Sequence, residues 1–160
     1  MQLLKFYLKK IFKIKSKSHR TDFLGLIRSI NIEKKEISGV EIGVLFGDYS
    51  KKINDYFKYL KLDLFLVDMW KATNDYEESA QKDLDDAYKR VCEYFEKFEN
   101  VKILRLSSLE ASSRFKDNSL DFVYIDGNHK YEFVKQDLNI WYNKLKTHGV
   151  LFGDDYSKNY

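Results

Sequence analysis

The sequence predicts one doubly wound α/β domain, a mainly parallel five-stranded sheet with helices on both faces, preceded by a basic amphipathic helix. Three observations predict it. The chain has 160 residues, 44% of them hydrophobic, which is the length and apolar content of one domain with a real core. From Ile37 onward, short apolar runs rich in β-branched and aromatic residues alternate with longer stretches of helical spacing. Parallel strands need such crossovers between them. With seven glycines, no proline and one cysteine, the chain has no proline-rich linker, disulfide framework or cysteine-based zinc cluster, and a reduced, cytoplasmic setting is expected.

The first element is a helix over Leu3 to Lys17. On a helical wheel Leu3, Leu4, Tyr7, Leu8, Ile11, Phe12 and Ile14 share one face, while Lys5, Lys9, Lys10, Lys13 and Lys17 crowd the other. Lysines recur too often for a transmembrane span, and no small-residue cleavage site follows as in a signal peptide. Two placements fit this helix: peripheral contact with the inner face of an anionic membrane, or docking of its apolar face on the protein body or a partner. Ser16 to Thr21 reads as a short polar connection, so residues 1–20 form an arm and 21–160 the domain. The net charge of +3 belongs to the arm, which holds seven of the 28 basic residues and no acid. The remainder is mildly acidic, which excludes nucleic acid as an expected partner, since phosphate contacts need clustered Lys and Arg.

The expected strands are Ser38 to Val44, Leu62 to Val67, Val101 to Leu106, Leu120 to Ile125 and Gly149 to Gly153. The expected helices are about Tyr49 to Leu60, Tyr76 to Phe98, Leu109 to Phe115 and Tyr131 to Leu145. Ser107 with Glu110, and Asn74 with Glu77, have the spacing of capping boxes. Asp83, Asp85 and Asp86 read as a solvated helix face, Cys92 as a small buried side chain, and Trp70 and Trp141 as packing residues, Trp70 near enough to Asp68 to border an adenine.

Ligands of such sheets bind beyond the carboxyl ends of the strands, where the strand order reverses. The first strand runs into Glu41-Ile-Gly43-Val-Leu-Phe-Gly47-Asp-Tyr-Ser50. Its two glycines allow either a tight structural turn or close approach of a ligand, and the spacing is not the G-x-G-x-x-G of dinucleotide binding. The looser turn suits a nucleoside carrying an amino-acid tail. Asp68 ends the second strand about 20 residues after Gly47, the offset at which an acid takes ribose hydroxyls; a helix cap is the alternative. Ser107 and Ser108 end the third strand, as caps or as a border to an adenine.

The fourth strand delivers Asp126-Gly127-Asn128-His129 and the fifth Asp154-Asp155. If these strands are neighbours, three carboxylates converge, and a cation is needed to neutralise them. Oxygen ligands without cysteine favour Mg²⁺. His129 is then close enough to act as a base, although a lone histidine is more often a surface or cap residue.

The stretch Glu41 to Ser50, Asp68, and above all Asp126-Gly-Asn-His129-Lys-Tyr131 through Asp137-Leu138 to Gly149-Val-Leu-Phe-Gly-Asp154-Asp155-Tyr156 resemble the class I S-adenosylmethionine-dependent methyltransferases, which have a Rossmann-like fold. Within them the chain is most similar to the macrocin-type sugar O-methyltransferases, and more distantly to catechol O-methyltransferase. The resemblance implies that Glu41, Gly43 and Gly47 line the methionine part of S-adenosylmethionine, that Asp68 holds its ribose, and that Ser108 lies near the adenine. It implies that Asp126, Asp154 and Asp155 ligate Mg²⁺ or another divalent cation, and that His129 holds the general-base position. Asp126 thereby serves catalysis, cofactor and metal together. Asp137 matches a recurring acid of this branch, with no physical role assigned.

Two departures from the pattern stand out. Thr147-His148-Gly149 replaces the commoner Pro-Gly-Gly, and the chain stops at Tyr160, before the family's C-terminal helix and last two strands. A fragment, a truncated reading frame or completion by association, as in a homo-oligomer, is expected. The implied activity is Mg²⁺-assisted O-methylation of a sugar, a glycan or another vicinal-diol small molecule near the inner membrane face. The competing reading is an inactive S-adenosylmethionine-binding or assembly module. A nicotinamide-dependent oxidoreductase would need the tighter glycine pattern that is absent.

Overall fold

A computed structural model describes residues 19–30, 35–72 and 78–153. In chain order the elements are α1 (His19–Ile30), β1 (Glu36–Ile42), α2 (Asp48–Tyr56), β2 (Lys61–Asp68), α3 (Glu78–Phe95), β3 (Val101–Arg105), α4 (Ser108–Ser112), β4 (Leu120–Ile125), α5 (Tyr131–Tyr142) and β5 (Leu145–Gly153). The strands form one sheet in the order β3-β2-β1-β4-β5, each pair parallel. This is the expected Rossmann-like class, with the strand order reversing beside β1. The N-terminal amphipathic helix, the Asn74–Glu77 box and the Asp154–Asp155 pair lie outside the described residues.

Helices cover both faces. Phe23 of α1, Ile53 of α2, and Val91 and Phe95 of α3 share one buried cluster with Phe122 and Tyr124 of β4. Ala111 of α4 and Trp141 of α5 pack on the other face with Val40, Val123 and Ile125. β4 is buried along its whole length, as a central strand covered on both sides must be.

α1 replaces part of the expected polar connection, because the helix already begins at His19. Its seat comes from Phe23, Leu24 and Ile27, all buried, at spacing that puts them on one helical stripe. Phe23 stacks on Phe152 at 4.9 Å and meets Phe122 edge-on at 5.8 Å. β5 is longer than expected. Leu120 pairs with Leu145 but Phe122 with Val150, so Lys146 to Gly149 bulge opposite Asp121, with His148 at φ 71°. The buried Asp121 carboxylate accepts from Lys146 Nζ at 2.7 Å and from the Ser38 amide at 2.9 Å, joining β5, β4 and β1.

Candidate functional site at the switch point

β1 ends two residues earlier than expected because Gly43 turns to φ 84° while its amide still reaches the Val67 carbonyl at 2.9 Å. Leu45 at φ 48° and Gly47 at φ 73° complete a turn that enters α2. Left-handed backbone at a leucine is strained and needs outside support, which two residues of the β2 end supply. One Asp68 carboxylate oxygen accepts the amides of Val44 and Leu45 at 2.9 and 3.0 Å. Its other oxygen accepts the Trp70 amide at 2.8 Å. The fully buried Trp70 donates its indole N–H to the Leu45 carbonyl at 2.8 Å. Asp68 therefore holds the turn, and of the roughly four lone-pair positions of a carboxylate about one remains for a hydroxyl.

Glu41 is only 1% exposed. It lies beneath the turn and accepts from the Ser50 hydroxyl, in the first turn of α2, at 2.5 Å. Gly47 occupies the N-cap position of α2 without a side-chain cap, leaving the helix's first amides to other acceptors.

The β4 end meets this turn backbone to backbone. The Asp126 amide donates to the Ile42 carbonyl at 2.7 Å, and a β-carbon on Gly43 would stand 2.1 Å from the Asp126 carbonyl oxygen. Asn128 accepts the Lys130 amide at 2.9 Å, turning the chain into α5, and His129 is exposed at that turn. Ile125 and Gly153 are register partners, so Asp126 and Asp154 are each the next residue along from one strand-end pair. Among the described residues no group of three His, Cys, Asp or Glu side chains could hold a metal ion. The proposed set includes two residues outside them.

Ser107 forms the expected capping box with Glu110, and the Ser107 hydroxyl and amide hold the Glu110 carboxyl below its ordinary pKa. Ser108 has different partners. Its hydroxyl donates to Asp137 and accepts the Trp141 indole N–H at 2.7 Å. Burial pushes the Asp137 carboxyl above its ordinary pKa and the Ser108 bond partly opposes this. Sequence reasoning singled out Asp137 without finding this partner.

A second brace was missed altogether. Arg105, at the end of β3, donates to the Met69 and Trp70 carbonyls and to Asp85, and stacks on Tyr88 at 4.6 Å. Gln81 donates to Trp70 O and accepts the Ala72 amide. Asp85 pairs with Arg105 while remaining exposed, as Asp83 and Asp86 are, so the three acids lie on the expected solvated face. Only the strand-end position of Arg105 could have signalled this. Cys92 is half-buried.

Leu45, Phe46, Met69 and Leu109 leave apolar side chains exposed along the carboxyl-terminal edge. The arrangement is a cradle of backbone amides and one partly engaged acid, suited to a ligand with both polar and flat apolar parts.

Residues 40–156 match the family described as a methyltransferase domain. The uncharacterized protein y4gI of Sinorhizobium fredii is 30% identical over 97 residues, 60% of this chain and 10% of that protein. A Staphylococcus aureus structure described as a caffeoyl-CoA O-methyltransferase superposes with TM-score 0.61 at 18% identity, covering 96% of this chain and 64% of that one. The N-methyltransferase NodS of Bradyrhizobium japonicum, solved with S-adenosyl-L-homocysteine, gives TM-score 0.52 at 15% identity, covering 86% and 62%. The chain thus spans a tenth of that curated relative and under two thirds of these structures.

Proposed function

The chain belongs to the class I S-adenosylmethionine-dependent methyltransferase family, and we propose that it is an O-methyltransferase acting, with a divalent cation such as Mg²⁺, on a sugar, glycan or other vicinal-diol small molecule. One observation carries this reading: the glycine turn of β1 and the Asp126 loop of β4 touch at the point where the strand order reverses.

The residues present fit the cofactor. Uncapped α2 amides suit its carboxylate, the remaining Asp68 lone pair suits a ribose hydroxyl, and Met69 and Leu109 suit the faces of a purine. When bound, S-adenosylmethionine supplies a methyl group on a sulfonium centre, and the cation supplies charge that acidifies and orients a hydroxyl. The chain's own work is alignment, because an in-line displacement depends on geometry. Asp126, with Asp154 and Asp155, would hold the cation, and His129 would serve as the base for the acceptor's hydroxyl proton. The level register of Ile125 and Gly153 supports this ligand set.

For the basic amphipathic arm the proposal keeps two placements, peripheral contact with the inner membrane face, supported by its lysine-lined helical wheel, and docking of its apolar face on the protein body or a partner. Turnover on a panel of diols with and without EDTA, in wild type and in Asp154→Ala/Asp155→Ala, tests the chemistry. Loss of transfer with retained S-adenosylhomocysteine binding is expected. Transfer unaffected by EDTA or by the substitutions removes the metal role, and cofactor binding without turnover on any diol favours a binding module.

A further inference from the structure

Asp137 is 6% exposed and lies one helical turn before Trp141 on the buried face of α5. The two side chains meet the same atom: the Trp141 indole donates to the Ser108 hydroxyl, which donates to Asp137. This relay crosses from the helix that follows the Asp126–His129 loop to the first residue of α4, at the carboxyl end of β3. A buried carboxylate is costly, and an apolar residue would serve packing alone at least as well. The acid does what an apolar residue cannot, which is to fix the direction of one hydroxyl and the helical turn that carries it.

We propose that Asp137 is a positioning residue for the nucleobase end of the cofactor, acting through Ser108 to set the first turn of α4 and hence which base is accepted at that edge. The proposal rests on the reading of Ser108 as adenine-side, and it gives Asp137 a role in specificity. Leu109, the next residue of that turn, presents an exposed apolar side chain at the same edge, so a shift of the turn moves the wall against which a base lies.

The test is calorimetric titration of the purified chain with S-adenosylhomocysteine and with S-inosylhomocysteine, whose 6-oxo group reverses the hydrogen-bonding pattern at that edge of the base. Wild type is expected to prefer the adenine compound by roughly tenfold or more. Asp137→Ala is expected to reduce that preference to about threefold or less, with Trp141→Phe intermediate. Asp137→Asn keeps an oxygen acceptor for Ser108 and is expected to stay within about twofold of wild type. General loosening would weaken both ligands alike and leave their ratio unmoved, so an unchanged ratio in Asp137→Ala overturns the proposal. If that variant does not fold, an unchanged ratio in Trp141→Phe overturns it. Equal binding of both ligands by wild type overturns the proposal but leaves the cofactor reading standing, whereas binding of neither removes that reading and the proposal with it.

Discussion

Gly43 and Asp126 are packed so closely that a β-carbon on Gly43 would stand 2.1 Å from the Asp126 carbonyl oxygen and 2.4 Å from its carbonyl carbon. Both are backbone atoms of a central loop and cannot swing aside. Gly43 also has φ 84°, which costs an L-residue about 1–2 kcal/mol even in open space. Gly43→Ala is therefore expected to destabilise the fold by about 3 kcal/mol or more. Gly127→Ala is the control: its β-carbon would meet Ile42 at an ordinary 3.7 Å, and a change of about 1 kcal/mol or less is expected. Urea unfolding of both variants checks the contrast.

Asp68 accepts three backbone amides from two segments. Asp68→Ala leaves those donors without their acceptor, at about 1–3 kcal/mol for each one that water does not reach. We expect a loss of about 2–4 kcal/mol in stability together with loss of measurable S-adenosylhomocysteine binding. If thermal melting is unchanged while binding alone is lost, Asp68 acts on the ligand and not on the turn.

Gly39 faces the ring of Phe122, where a β-carbon would lie 2.1 Å from the ring's far end. Gly39→Ala overpacks the sheet face, at about 1–3 kcal/mol. Phe122→Leu shortens the obstructing side chain. The double variant is expected to be more stable than the sum of the single changes predicts, a coupling of about 1 kcal/mol or more in a double-mutant cycle.

The raised pKa of Asp137 has a defined sign. Burial makes the folded protein bind this proton more tightly than the unfolded chain, whose carboxyl titrates near 3.8. Stability associated with the group is thus highest when it is protonated and falls as pH rises through its folded pKa. Asp137→Asn cannot ionise. Its stability relative to wild type is expected to increase as pH rises across that interval, and to level off below the unfolded carboxyl value and above the folded one. Denaturation midpoints of the two proteins measured from acid to neutral pH check it; a difference that narrows with rising pH contradicts it.

Local chemistry made much of this protein legible. The alternation of apolar runs and helical spacing determined the fold class, the Ser107–Glu110 spacing determined a cap that the structure contains, and β4 has the limits that its six apolar-rich residues imply. These features act over a few residues, where propensity and periodicity operate. The sequence also put Gly43, Asp68 and Asp126 at strand ends and Gly47 in the turn that follows the first, because a parallel sheet brings all carboxyl ends to one edge. What each side chain does there was decided by tertiary structure. Strand order set β1 between β2 and β4, which brought Asp68 to the Val44 and Leu45 amides and Asp126 against Gly43. Packing of α4 beside α5 joined Ser108 to Asp137 and Trp141, and folding of α3 over β3 joined Arg105 to Asp85. A polar side chain's partner depends on which distant segment the fold places beside it, and no spacing along the chain encodes that.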